Sequence, residues 1–339
     1  MTMLKIETKV QEIEGCFPGR LPEEVLLSTQ PLVMRGLVAD WPMVKAANKS
    51  SDDAIDYLGQ FDSGRPLTAM LGGPEIAGRI FYNDDLTGFN FDYARIDLQE
   101  VFSRLRDSQE KHKPPMVYVG STNIDNWLPG FRKENDLALD DYSPMASIWI
   151  GNRSRVAAHY DFPTNIACSV AGRRRFTLFP PNQLNNLYVG PIDVTPAGQP
   201  ISMVDFSNPD YQKFPRFKDA LKTAQTIELE PGDAILVPSM WWHHVESLSD
   251  VNVLVNYWWR TTPYYLGGPL NVLQHAMLGL RDLPPEQRDV WRDIFDHYIF
   301  NPSDENMAHI PEEARGVLNK IDETTAAKLR DLLINKLKH

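Results

Sequence analysis

Between residues 115 and 260 the sequence is cut into short apolar or alternating runs closed by Pro, Gly or Asn. The runs are Met116–Gly120, Ala146–Gly151, Asn165–Val170, Arg175–Phe179, Thr226–Leu229, Ala234–Val237 and Val251–Trp259. They are too short for helices, and their spacing predicts seven or more strands in a sandwich or barrel. The turns between them have a chemical cause. Proline presets φ and glycine permits positive φ at Pro180-Pro181, Gly190-Pro191 and Pro231-Gly232-Asp233. The expected fold class is therefore mainly β with helical additions, a closed or double-sheet core of the kind that can house a central metal site.

The flanks read differently. Residues 1–114 read as a mixed α/β scaffold. It holds a short strand over Gln30–Val38, a helix over 51–61 capped by Ser51 or Asp52, strand-like runs Arg65–Met70 and Gly78–Asn83, and a helix beginning at Asp97. Residues 115–262 form the expected β-core. From 263 to 339 apolar residues fall at helical spacing: Leu270, Leu273, Met277 and Leu280, then Val290, Trp291, Ile294, Phe295 and Tyr298 after Pro284-Pro285. A last helix carries Ala326, Leu329, Leu332, Leu333 and Leu337. These stripes must be buried, and a homodimer through the C-terminal helices is the expectation.

A net charge of −11 lacks the basic face that nucleic acid requires, so no nucleic-acid partner is expected. Cys16 and Cys168 are the only cysteines, too few for a disulfide framework. No signal-peptide core and no 18-residue apolar run occurs. These features predict a cytoplasmic protein with no membrane association.

The chemistry points to His159-Tyr160-Asp161. On a strand, residues two apart project from one face. An imidazole and a carboxylate there supply two ligands of a 2-His-1-carboxylate triad, the open-sided Fe(II) site of non-haem oxygenases. Chance alone supplies one such pair among eight histidines, and this chain has a second in His244/Glu246. Context decides between them. The Pro231-Gly232-Asp233 turn leads through an apolar strand to Trp241-Trp242-His243-His244-Val245-Glu246. Neighbours on a strand face opposite ways, so only one of the two histidines can share a metal with His159 and Asp161. A water-excluding interior favours the face without Glu246, which selects His243.

Several ordered motifs now stand together: Arg35-Gly36 with Trp41-Pro42, His159-Tyr160-Asp161, Leu178-Phe179-Pro180-Pro181, Asp205-Phe206 through Asn208-Pro209-Asp210-Tyr211 to Phe214-Pro215, Pro231-Gly232-Asp233, Trp241 through Ser247, and Val255-Asn256-Tyr257-Trp258. This set resembles the JmjC/cupin-like 2-oxoglutarate oxygenases, with the asparaginyl hydroxylases as the nearest pattern. The likeness is near-continuous from about residue 115 to 260. It implies a double-stranded β-helix (jelly-roll) core with a C-terminal helical bundle, and Fe(II), 2-oxoglutarate and O₂ as reactants.

Carried onto this chain, the resemblance implies that His159, Asp161 and His243 are the metal ligands and the catalytic set. Tyr118 matches a tyrosine that bonds the far carboxylate of 2-oxoglutarate, and Asn165 and Asn256 match amides lining that pocket. Three positions depart. Arg174 stands where the family has a carboxylate-binding lysine, Val156 where it has a threonine, and Gly120 where it has a substrate-holding glutamine. Arginine keeps the first function, since it binds a carboxylate bidentately. The implied activity is hydroxylation of a peptide or protein side chain, or of a small amino-acid-like substrate, with release of succinate and CO₂. JmjC-type demethylation is the alternative within the family. A metal cupin of other chemistry and a non-catalytic binding module are the alternatives outside it.

Overall fold

The computed structural model describes residues 4–338. Fourteen strands are present among them. The first six are β1 (Gln11–Ile13), β2 (Leu32–Met34), β3 (Leu67–Gly72), β4 (Arg79–Ile80), β5 (Asp92–Ile96) and β6 (Met116–Asn123). Then come β7 (Met145–Gly151), β8 (Arg155–His159), β9 (Thr164–Ala171) and β10 (Arg174–Phe179). The last four are β11 (Gln225–Leu229), β12 (Ala234–Val237), β13 (Trp242–Ser247) and β14 (Asn252–Trp259).

They form two sheets. The larger runs β1-β2-β12-β9-β14-β7-β6-β3-β5, the smaller β11-β10-β13-β8-β4. The pairings among β6–β14 are all antiparallel, and β13 lies between β8 and β10. Side-chain alternation sorts the residues between layers. Ala167, Ile235 and Leu254 of the larger sheet meet Phe176, Leu178 and Ile227 of the smaller in one buried cluster. Cys168, Val170, Val253 and Val255 turn to the other face of the larger sheet. There they pack in one cluster with Ile55 and Leu58 of helix Ser51–Gly59 and with Val101, Phe102 and Leu105 of helix Leu98–Gln109. Phe179 and Trp242 face outward from the smaller sheet and join Phe206 and Phe217. Two facing antiparallel sheets with helical additions are the expected jelly-roll architecture, and the cupin-like match reported below agrees with it.

The N-terminal region is woven into the larger sheet: β1, β2, β3 and β5 all belong to it. The Arg35-Gly36 and Pro231-Gly232-Asp233 motifs explain part of this. Asp233 accepts from the Arg35 guanidinium at 2.6 Å, the Gly36 amide at 2.9 Å and the Glu230 amide at 3.1 Å. This carboxylate fastens the chain beyond β2 to the turn that precedes β12. Gly232 sits at φ +105°, and a Cβ there would lie 3.1 Å from the Ala39 backbone, so no other residue fits without displacement.

Some local expectations shift. Ser50 caps the first long helix, with its hydroxyl accepting from the Asp53 amide, one residue earlier than expected. The strand over Gln30–Val38 shrinks to Leu32–Met34 because the chain turns at Gly36, φ +64°. The run Gly78–Asn83 shrinks to Arg79–Ile80.

Contacts divide the chain into two compact units, 1–260 and 261–339. The second is helical, with Pro269–Leu280, Pro285–Phe295 continued by a π-helical turn Asp296–Phe300, and Glu323–Leu337 capped by Asp322. The proline positions behave as read: Pro285 is the first residue of its helix. Among the described residues no helix is long and apolar enough to cross a membrane.

Candidate metal centre

β8 and β13 pair so that His159 lies directly opposite His243. The ring centroids are 4.3 Å apart. Both imidazoles are buried, and each Nδ1 contacts the carbonyl two residues back along its own chain, His159 with Ala157 at 2.9 Å and His243 with Trp241 at 3.0 Å. A carbonyl oxygen only accepts, so each Nδ1 carries a proton, which leaves Nε2 as the ring nitrogen that can meet a metal. The Asp161 carboxylate completes the set. Its Oδ2 is 3.7 Å from His243 Nε2, and one ligand atom from each of the three residues lies within 4.8 Å of the others. Among the described residues this is the one such grouping of His, Cys, Asp and Glu. Burial, reinforced by His159, lowers the His243 pKa to about 4, so its imidazole is neutral and available as a ligand at neutral pH.

His-x-Asp does not open a strand, as the alternation argument assumed. His159 ends β8, and Asp161 lies beyond it in the connection to β9. The turn before β13 holds that connection in place. The Met240 amide donates to the Asp161 carbonyl at 2.8 Å, and the Ser239 hydroxyl to the Phe162 carbonyl at 2.6 Å. Met240 adopts φ +68°, a left-handed conformation that an unbranched side chain tolerates at some cost.

His244 faces the other way. It stacks on Phe206 at 4.6 Å, with Nδ1 4.0 Å from Glu246. A β-bulge interrupts the β8–β13 register beside it. Burial and the nearby arginines, Arg155 first, lower its pKa to about 3.

A cavity of about 230 Å³ opens over the triad, and Tyr118, Asn165, Arg174 and Asn256 all line it. Arg174 enters β10 directly after the turn at Gly172, where φ is +69° and a Cβ would lie 2.3 Å from the Val251 carbonyl. Arg174 is 1% exposed, and neither its Nε nor its Nη2 has a hydrogen-bond partner. Among the described residues no carboxylate pairs with it, whereas its neighbour Arg175 bridges Glu228 at 2.6 Å and Glu246 at 3.3 Å on the outer face. Tyr118 interacts with Arg174. Burial pushes its phenol up to about 12 against the pull of the guanidinium, so the hydroxyl stays protonated and can donate. Burial also lowers the Arg174 pKa.

The Asn256 amide donates to Asn165 Oδ1 at 3.3 Å and accepts from Trp149 Nε1 at 2.8 Å. Trp149 was not singled out from sequence. Its signal was alternation in β7, where Ile148 and Ile150 join the helix-facing core while Trp149 lines the cavity. Trp258, which the sequence placed only in the Val255–Trp258 motif, donates its indole N–H to Asp161 Oδ2 at 3.2 Å. Val156 lines the cavity, and a Cβ on Gly120 would lie 3.3 Å from Trp149.

Residues 18–265 match the family model of the cupin-like domain. The chain belongs to the cupin-like domain family. This cupin-like chain is 36% identical over 258 residues to HSPB1-associated protein 1 of Homo sapiens, covering 71% of this chain and 50% of that one. It is 27% identical over 266 residues to Lysine-specific demethylase JMJ31 of Arabidopsis thaliana, with 70% and 47% covered. It thus spans about half the length of these two relatives. To tRNA wybutosine-synthesizing protein 5 of Gallus gallus it is 30% identical over 319 residues, with 84% and 92% covered. The JmjC/cupin resemblance read from the motifs holds at the level of the family.

The geometry predicts how metal binding responds to substitution. His159→Ala, Asp161→Ala and His243→Ala should each abolish stoichiometric Fe(II) binding, measured by anaerobic titration, while His244→Ala retains it. Loss in the His244 variant with retention in the His243 variant would reverse the assignment of the two strand faces.

Proposed function

We propose that this protein is an Fe(II)- and 2-oxoglutarate-dependent oxygenase that hydroxylates a peptide side chain or an amino-acid-like substrate. One observation carries the reading: the buried, anion-less guanidinium of Arg174 shares a cavity with the His159–Asp161–His243 triad. A buried cation without a counter-charge is costly, and a ligand carboxylate removes that cost. Arg174 and Tyr118 would hold the far carboxylate of 2-oxoglutarate, with its 2-oxoacid end toward the metal that His159, Asp161 and His243 would hold. Bound iron and 2-oxoglutarate together activate O₂ for C–H oxidation. The chain's own residues would hold the metal by two imidazoles and one carboxylate and orient the cosubstrate by a bidentate guanidinium and a phenol O–H donor. Asn165, Asn256 and the two indoles wall the reactants from bulk water.

The cavity lining also bears on the substrate. Its charged groups are Asp161 and Arg174, apart from the histidines, and both are engaged in this scheme. Met70, Ile80, Ser121, Pro196 and Ala197 are neutral. That favours a neutral side chain over a methylammonium, and so hydroxylation over the lysine demethylation in the name of one relative. The tRNA in the name of another sits poorly with a net charge of −11. Two free cysteines support a reducing, cytoplasmic location.

Charge-assisted hydrogen bonds contribute about 1.5–3 kcal/mol each, so Arg174→Ala should weaken 2-oxoglutarate binding at least about tenfold while leaving Fe(II) bound. Arg174→Lys should recover part of the loss. The check is anaerobic cosubstrate titration of the metal-loaded variants. Parent-like affinity in Arg174→Ala would overturn the reading.

The proposal extends to assembly. Val290, Trp291, Tyr298, Ile299 and Phe300 are exposed in the helical unit, Phe300 at 71%. Burying a large apolar side chain is worth about 1.5–3 kcal/mol, and a second copy offers the matching surface through two-fold symmetry. Sedimentation equilibrium should show a dimer that Trp291→Asp with Ile299→Asp converts to monomer; a monomeric parent at micromolar concentration would contradict it.

A further inference from the structure

We infer that Trp258 is a positioning residue that fixes which oxygen of Asp161 meets the metal; the inference rests on the metal-site reading above. Asp161 lies past the end of β8, so no ladder partner constrains its side chain. The Met240 amide holds only its backbone carbonyl. The carboxylate itself is held from the opposite sheet, by the indole of Trp258 on β14.

The oxygen that accepts from Trp258 Nε1, Oδ2, is the same one that stands 3.7 Å from His243 Nε2. A carboxylate oxygen has two in-plane lone pairs, and an indole N–H can only donate. One lone pair of Oδ2 is therefore committed to Trp258, and the other remains for the ion. The indole is in turn fixed by edge contact with Trp149, centroids 5.8 Å apart at 85°, and Trp149 is tied to Asn256. A partly exposed tryptophan acting only as packing would leave its N–H to water. Here the N–H is aimed at a ligand residue.

Outer partners that orient ligands are typically worth about 10–100-fold in metal affinity. Trp258→Phe keeps an aromatic ring against Trp149 and removes the donor. With Co(II) as the probe, the variant should lose affinity by about 10–100-fold and show an altered d–d absorption spectrum, because Asp161 is free to rotate or chelate through both oxygens. The melting temperature of the metal-free protein should be unchanged, which a packing role would not allow. Should Trp258→Phe fail to fold, site-specific replacement of Trp258 by benzothienylalanine, an indole isostere lacking the N–H, gives the same test. Parent-like Co(II) affinity and spectrum in a folded variant would overturn the inference alone. A parent protein that binds no Co(II) would overturn the metal reading beneath it.

Discussion

Strand β13 is hydrogen-bonded along both edges, and the rest of the site depends on its register. On one side His243 faces His159 of β8; on the other Ser247 faces Arg174 and Leu178 faces His243 in β10. One strand therefore joins the metal-ligating pair to the strand that carries the buried cation. Side-chain direction has a period of two, so a slip of one residue would bring His244 inward and send His243 out against Phe206. The clusters on either face resist that slip: Trp241 belongs to the inter-sheet core and Trp242 to the outer one.

The second constraint is electrostatic. At one end of the cavity two imidazoles and a carboxylate leave room for a divalent ion. At the other, Arg174 is buried with two donor nitrogens unused. Each arrangement costs stability by itself, since Arg174 has no carboxylate partner among the described residues and the ligand lone pairs are met only in part, by Trp258. A metal and a dicarboxylate satisfy both at once. Met240, at φ +68°, places one local departure from low-energy geometry beside this site.

Much of this was legible in the chain because strand alternation and turn chemistry are local. The seven runs expected between 115 and 260 all correspond to strands, and the choice of His243 over His244 followed from strand facing together with Glu246 on the His244 face. Asp161 was less legible: its placement comes from the 239–240 turn, remote in sequence, and not from the strand that His159 ends. β8 itself was missed as a run because Arg155–His159 contains only Val156 and two alanines as apolar residues. Trp149 and the N–H of Trp258 escaped because a tryptophan in a strand reads as packing, and only the opposite sheet shows what its nitrogen meets. The inclusion of β1, β2, β3 and β5 in the larger sheet is likewise a product of long-range pairing.

The central claim is that the triad and Arg174 together hold iron and 2-oxoglutarate. The most direct measurement is visible absorption of the Fe(II)-loaded parent protein under argon as 2-oxoglutarate is added. The account predicts a saturable metal-to-ligand charge-transfer band at one equivalent of cosubstrate, because the 2-oxoacid chelates the iron. Fe(II) bound stoichiometrically with no such band at any 2-oxoglutarate concentration would contradict it.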